Sequence, residues 1–279
     1  MIQLADEGPT YFYKYKRIDE EHLDYSSRIF THNELYFSTA NEFNDPFDCR
    51  FRYKLNGSEA DRVKFLKRIQ KEKYPYRSRR ERRSEIVQLR REIKSPGYEE
   101  SFQQDLREGV ISKWGIYCLS AVPDDILMWA HYADGHRGFC LEFLNDPNDQ
   151  FHAKRQPNDP DFRSHPCLFP YEVEYSEEYP VINPLSEDYA DDEKIGRKAF
   201  LTKATQWQYE KEWRILGDNN TPGPHQFPSR FLTGIIFGCK MSDAHKDMIH
   251  EWCKGRQQVV KYYEAQRAAD AYALKIIPA

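Results

Sequence analysis

Nowhere in these 279 residues is there a run of about 18 apolar residues of the kind that crosses a bilayer. The opening "MIQLADEGPTYFYKYK" also lacks the basic-then-apolar order of a secretory signal, so the expected location is the cytoplasm, with no membrane partner. Cysteine is sparse: Cys49, Cys118, Cys140, Cys167, Cys239 and Cys253 are scattered with no C-x-x-C spacing. That scatter argues against a thiolate metal site, and "GIYCLSA" and "GFCLEF" set two of the six inside apolar runs, the setting of reduced, buried thiols. Histidine at helical ligand spacing is missing too. There is no H-E-x-x-H, and His131 and His136 are five apart, so no metal is expected. No internal repeat stands out.

What is present is a globular composition, 39% hydrophobic and 15% aromatic, enough to build a core at this length. The expected organisation is one α+β domain over 1–279 with a helical insertion at 58–113. The net charge of -4 hides an asymmetry: Asp61 to Ser95 holds 14 Lys or Arg against 5 acids, a segment of +9 that leaves -13 for the rest. Val63, Phe65, Leu66 and Ile69, then Ile86, Val87, Leu89 and Ile93, keep roughly helical spacing, broken at Tyr74-Pro75-Tyr76. Two amphipathic helices joined by a turn follow from that pattern. Their basic face is either solvated or a platform for nucleic acid or another polyanion, with Arg79, Arg80, Arg82 and Arg83 in "SRRERR" as its densest point.

Strands are expected at 10–16, at the start of 34–48, at 115–121, 137–143 and 171–176, and within 231–241 and 258–265. Helices are expected around "YEESFQQDLREGVISKW", over 124–134 with Asp124 as its cap, through 191–204, and up to about Lys254. A Pro- and Asp-rich stretch at 145–170 reads as a surface loop. Strands and helices mix without regular βαβ alternation, which predicts an α+β fold with a mixed, largely antiparallel sheet and flanking helices.

Four polar-aromatic knots interrupt this pattern: "YKYK" (13–16), "NDPFD" (44–48), "MWAHYADGHRG" (128–138) and "WQYEKEWR" (207–214). Such knots are costly to bury unless their polar groups find partners, so the four are expected to meet. Read as a strand, "WQYEKEWRIL" points Glu210 and Glu212 to one face and Lys211 to the other. Those carboxylates are either a catalytic pair or partners of Arg214 in a strand, and "NDPFD" is either part of the site or a capped turn.

The joint order of "YKYK", "LYFSTANEFNDPFD", "CLSA", "LMWAHYADGHRGFCLEF", "VEY", "K-x3-W-x-YEKEWR" and "GIIFG" resembles a widespread bacterial family of uncharacterised proteins, a domain of unknown function often found near mobile-element and phage-defence genes. More remotely, it is similar to ADP-ribosyltransferase-like toxins. That resemblance implies an enzyme that cleaves NAD and transfers ADP-ribose to a macromolecule, nucleic acid being one acceptor class, with an antitoxin as a further partner. It places Glu212 beside the ribose, where a carboxylate stabilises an oxocarbenium-like centre, and Glu210 toward the acceptor. Tyr13, Tyr15, Trp129 or Tyr132 would stack on nicotinamide, while Lys14, Lys203 or Arg214 would meet phosphates. Ser38, Asn44, Asp45 and His131 complete the expected NAD site, although Lys14 stands where such toxins carry Arg or His, and Ser38-Thr39 is a partial version of their serine-threonine-serine motif. Two other readings are a metal-dependent nuclease or phosphoesterase using Asp45, Asp48, His131, His136 and Glu212, and a noncatalytic nucleic-acid or protein-binding module.

Overall fold

The structure, a computed structural model, describes residues 8–21, 23–109, 113–146, 170–186, 192–216 and 221–279. The loop expected at 145–170, and Cys167 within it, falls almost wholly outside the described residues. The chain starts with β1 (Tyr11–Lys16), α1 (Leu23–Thr31), β2 (Glu34–Phe37) and β3 (Arg52–Tyr53), followed by α2 (Glu59–Lys73), α3 (Arg79–Glu92) and α4 (Tyr98–Gly109). Next come β4 (Tyr117–Ser120), α5 (Ile126–Tyr132), β5 (Phe139–Leu144), β6 (Pro170–Glu172), β7 (Glu174–Ser176), β8 (Val181–Ile182) and α6 (Asp192–Phe200). The last stretch holds β9 (Thr202–Ala204), β10 (Glu212–Ile215), β11 (Gly223–Gln226), β12 (Leu232–Phe237), α7 (Asp243–Cys253), β13 (Lys261–Arg267) and β14 (Leu274–Pro278). Contacts divide the chain into two compact units, one of Met1–Glu42, Trp114–Val173 and Thr205–Ala279, the other of Phe43–Lys113 and Glu174–Ala204.

The first unit is built on an eight-stranded sheet in the order β14-β13-β12-β5-β1-β4-β10-β6. Every neighbouring pair is antiparallel except β12 and β13, which run parallel because α7 carries the chain between them. The class is the mixed, mostly antiparallel α+β fold that the sequence predicts. Alternation along the strands separates two cores. Phe12, Phe139, Leu141, Phe143, Ile235 and Phe237 join Ile29 and Phe30 of α1 and Ile249 of α7 in the larger one. On the other face Tyr15, Cys140 and Ile236 join Met128 and Trp129 of α5. Each fully buried aromatic or aliphatic side chain there contributes about 1.5–3 kcal/mol through apolar burial.

Helix α5 starts where Asp125, not the expected Asp124, accepts from the backbone N–H groups of Leu127 and Met128, both at 2.9 Å. After it the chain must turn sharply back into β5, and it does so through Asp134, Gly135 and His136, all at positive φ. Gly138 closes that turn against β1: a Cβ there would lie 2.1 Å from the Lys16 carbonyl oxygen. Because the obstacle is backbone, Gly138→Ala is expected to destabilise the protein by about 1–3 kcal/mol. Chemical denaturation checks this through a lower midpoint at unchanged slope, and an unchanged midpoint would show that the turn relaxes.

In the second unit α2 and α3 form the expected basic pair. Each begins with a reciprocal capping box, Ser58 with Asp61 and Ser78 with Glu81. Helix α2 stops at Tyr74 (φ -131°, ψ 60°), because the ring of Pro75 disfavours helical geometry in the residue before it. Helix α4 is tied to β3 and the residues after it, where Gln103 accepts from the Tyr53 N–H at 3.1 Å and Glu99 from the Leu55 N–H at 2.8 Å. Two short parallel pairs, β3 with β8 and β7 with β9, complete this unit.

Candidate active site on the second face of the sheet

Strand pairing in the first unit builds a row of polar side chains that no stretch of sequence displays. Glu142 on β5 lies opposite Tyr13 on β1, Tyr13 opposite Ser120 on β4, and Ser120 opposite Glu212 on β10. Directly opposed residues on neighbouring strands point to the same face. Carboxylate, phenol, hydroxyl and carboxylate thus stand side by side on the face that α5 covers. Gly234 on β12 extends the row with no side chain, and its position is crowded, since a Cβ there would meet Glu142 Oε1 at 2.8 Å.

Residues 205–210 are a three-ten helix rather than the expected strand, so Glu210 and Glu212 do not share a strand face through alternation. Lys211 between them takes φ +45°, a left-handed conformation that puts its own side chain in solvent while both neighbours are buried, Glu210 at 3% and Glu212 at 4% exposure. For a residue with a Cβ this conformation costs roughly 1–2 kcal/mol. Beside it lies an open groove of about 330 Å³ bordered by Asp124, Ile126, Tyr209, Lys211 and Tyr272.

The two glutamates have different partners. Glu212 holds Arg214 bidentately, with Arg214 Nε donating to Oε1 at 2.8 Å and Nη2 to Oε2 at 3.0 Å. Two residues apart on one strand, they share a face, and Arg214 is fully buried. The pairing with Arg214 that the sequence leaves open is therefore present, in the interior rather than on a partly exposed strand. Cys118, opposite Arg214, feels the same pair: burial pushes its thiol well up and the Glu212 carboxylate adds to the shift. Glu210 instead receives the Tyr132 hydroxyl on Oε1 at 2.5 Å, and its backbone carbonyl accepts from Ser120 Oγ at 2.6 Å. Ser120 joins the polar row to the three-ten helix. The Tyr13 phenol is pushed up by burial and then by Glu142, so it stays protonated and able to donate at neutral pH. Glu142 accepts from Thr233 Oγ1 at 2.8 Å.

Among the residues picked from sequence, Tyr13, Tyr132, Glu210 and Glu212 come together here. Tyr15 and Trp129 lie on the same face but are spent on structure. Trp129 has no exposure and donates to the Pro123 carbonyl at 2.8 Å, and Tyr15, 4% exposed, donates to the Val122 carbonyl at 2.7 Å. Their rings meet edge to face at 5.3 Å, which removes both as surfaces for nicotinamide. Lys14 points to the opposite face, as alternation along β1 requires, where it donates to the Cys118 carbonyl at 2.8 Å and sits 4.7 Å above the Tyr117 ring. Arg214 is committed to Glu212, so neither it nor Lys14 is presented to a phosphate. His131 is exposed on α5, its ring 6.3 Å from that of Tyr209. Ser38 is held in a bridge to Ile116.

The remaining picks belong to the second unit. Asn44 is exposed, and Asp45 accepts from the Phe47 N–H at 2.9 Å, so "NDPFD" has the capped-turn geometry. Lys203, 7% exposed, lies 3.6 Å from Asp48 as a buried ion pair. No group of three or more His, Cys, Asp or Glu placed to hold a metal occurs among the described residues. Sequence reasoning missed Glu142, Ser120 and Tyr209. Glu142 left one signal, a lone acid inside the apolar run "GFCLEF".

No helix among the described residues is long and apolar enough to cross a membrane. No curated protein and no solved structure matches the chain. Residues 128–215, from Met128 in α5 to Ile215 at the end of β10, match the family described as a protein of unknown function, DUF2971, so a domain of that type lies there and includes Tyr132, Glu142, Glu210, Glu212 and Arg214.

Proposed function

We propose that the protein is an NAD-cleaving, ADP-ribosyltransferase-like enzyme whose reaction centre is the Glu210–Tyr132 pair. The observation that carries this reading is the Tyr132 hydroxyl on a buried Glu210 carboxylate at 2.5 Å, beside the row of Ser120, Tyr13 and Glu142. Breaking the bond between the ribose C1′ and the nicotinamide nitrogen sends the electron pair to the departing neutral nicotinamide and leaves an oxocarbenium-like ribose. A water-poor site with a fixed carboxylate stabilises that charge more than water does. Water or an acceptor hydroxyl, amine or guanidine then attacks C1′ and gives up its proton to a carboxylate base. In this reading Glu210 faces the developing charge. Glu212, already matched by Arg214, fixes the start of β10, and half-buried Tyr13 and Tyr209 offer ring surface to the nicotinamide. The resemblance of the motif order to a bacterial family often found near phage-defence genes, and more remotely to ADP-ribosyltransferase-like toxins, is in keeping with this assignment and with the role of a bacterial effector.

The test is release of nicotinamide from NAD by the purified full chain, with and without cell extract to supply acceptors and with and without chelator. Chelator-insensitive release is expected. Protein that neither binds NAD nor releases nicotinamide in any arm would overturn the reading, and chelator-sensitive cleavage of nucleic acid in its place would favour a metal-dependent nuclease.

A further inference from the structure

Helix α3 buries no residue completely, and its partly buried side chains Arg82, Glu85, Ile86 and Leu89 mark one face. At 3.6 residues per turn Arg80 and Arg91 lie on the opposite face, Arg83 toward its edge and Arg79 on the flank beside Ile86, all four exposed. The acids of this helix are engaged elsewhere: Glu81 in the capping box, Glu85 with Arg77, and Glu92 with Gln88. Arg90 and Lys94 share Glu59. None of the four arginines has an ion-pair or hydrogen-bond partner among the described residues. Arg82, counted in this cluster on sequence grounds, turns back to the Tyr74 and Pro75 carbonyls. Like charges spaced three and four apart on a helix repel, so the arrangement is unfavourable until an anion covers it.

Arg79 to Arg91 spans about 18 Å along the axis. A helically stacked strand, which rises about 3.4 Å per nucleotide along its axis, presents roughly five phosphates over that length. Just before the helix, the Tyr76 ring is fully exposed, while Tyr74 next to it lies under the Arg77 guanidinium at 3.8 Å. A single exposed tyrosine is ordinary. An exposed ring at the head of an uncompensated arginine stripe combines the two elements that hold unpaired nucleic acid, a base-stacking surface and a phosphate track. A lipid surface fits less well, because Val87 is the only aliphatic residue on this face and a membrane-surface helix needs a continuous apolar one. We infer that Tyr76 and the α3 stripe of Arg79, Arg80, Arg83 and Arg91 form a binding surface for single-stranded nucleic acid. This inference is independent of the NAD reading.

The test is fluorescence anisotropy of labelled single-stranded RNA and DNA oligonucleotides, with a duplex and anionic vesicles as comparison arms and the full chain as binder. No NAD is present, so failure here and failure of the enzymatic reading are separate results. Replacing the four arginines by Gln is expected to weaken single-strand binding by roughly tenfold or more and to flatten the log–log salt slope by roughly 2–3, at unchanged thermal stability. Tyr76→Ala is expected to lose roughly fivefold or more on single strands and little on duplex. Comparison of the RNA and DNA arms identifies which strand is preferred. The inference is overturned if the wild type binds neither oligonucleotide at low salt, if either variant binds as the wild type does, or if vesicles are bound and oligonucleotides are not.

Discussion

Glu210→Gln is expected to cut the rate of nicotinamide release by roughly a hundredfold or more, about 2.7 kcal/mol of transition-state stabilisation, with NAD affinity nearly preserved. Glutamine keeps the length of the side chain and an oxygen that accepts the Tyr132 hydroxyl, now at 2.5 Å. What it removes is a negative charge that matters chiefly once the ribose becomes cationic, so the loss falls on kcat rather than KM. Tyr132→Phe serves as the companion variant, since it leaves the charge in place and removes its hydroxyl partner. A smaller loss in kcat is expected there, because the charge that stabilises the cationic ribose stays in place while its positioning partner is lost. Single-turnover measurements separate the chemical step from product release. A Glu210→Gln protein that cleaves NAD at the wild-type rate would remove Glu210 from the chemistry.

Arg214→Ala is expected to cost about 3–5 kcal/mol of folding stability. Arg214 is fully buried and binds both oxygens of Glu212, so its removal leaves a carboxylate at 4% exposure without its bidentate partner. The desolvation already incurred by Glu212 then loses the compensation that this ion pair supplies. Taking both charges away, as Glu212→Leu with Arg214→Met, restores most of the loss, because two apolar side chains of similar volume need no partner. Thermal or denaturant unfolding of the two single variants and the double variant completes a mutant cycle. Equal midpoints for Arg214→Ala and wild type would mean that solvent reaches the pair. If NAD cleavage is retained by the double variant, Glu212 holds β10 in place; if it is lost while the fold is kept, Glu212 belongs with Glu210 in the reaction.

Much of the fold was readable from short-range pattern. The alternation in "YFYKYK", the apolar runs around Cys140 and in "LTGIIF", and the two amphipathic stretches parted by Pro75 all became the elements expected of them, because each is decided by residues within a turn or a strand of one another. The reading failed at 205–210, where a period of two was extended back from β10 through Glu210. What overrode it was long-range: the Tyr132 hydroxyl, the Ser120 hydroxyl and a left-handed Lys211, the first two 78 and 90 residues distant from Glu210 in sequence. Trp129 and Tyr15 looked like ligand surfaces because aromatic residues beside polar ones look alike in sequence whether a cleft or a core receives them.

By itself the sequence determined the class of fold, the charge imbalance and the paired basic helices, since composition and helical period act locally. Only the tertiary structure decided what the carboxylates can do. Strand register places Glu142, Tyr13, Ser120 and Glu212 in one row from four separate segments, and the packing of α5 beside the three-ten helix gives Tyr132 to Glu210. The state of a buried charge depends on which partner reaches it through a low-dielectric interior, and for Glu210 that partner comes from 78 residues away, on a helix that only the folded chain brings to it.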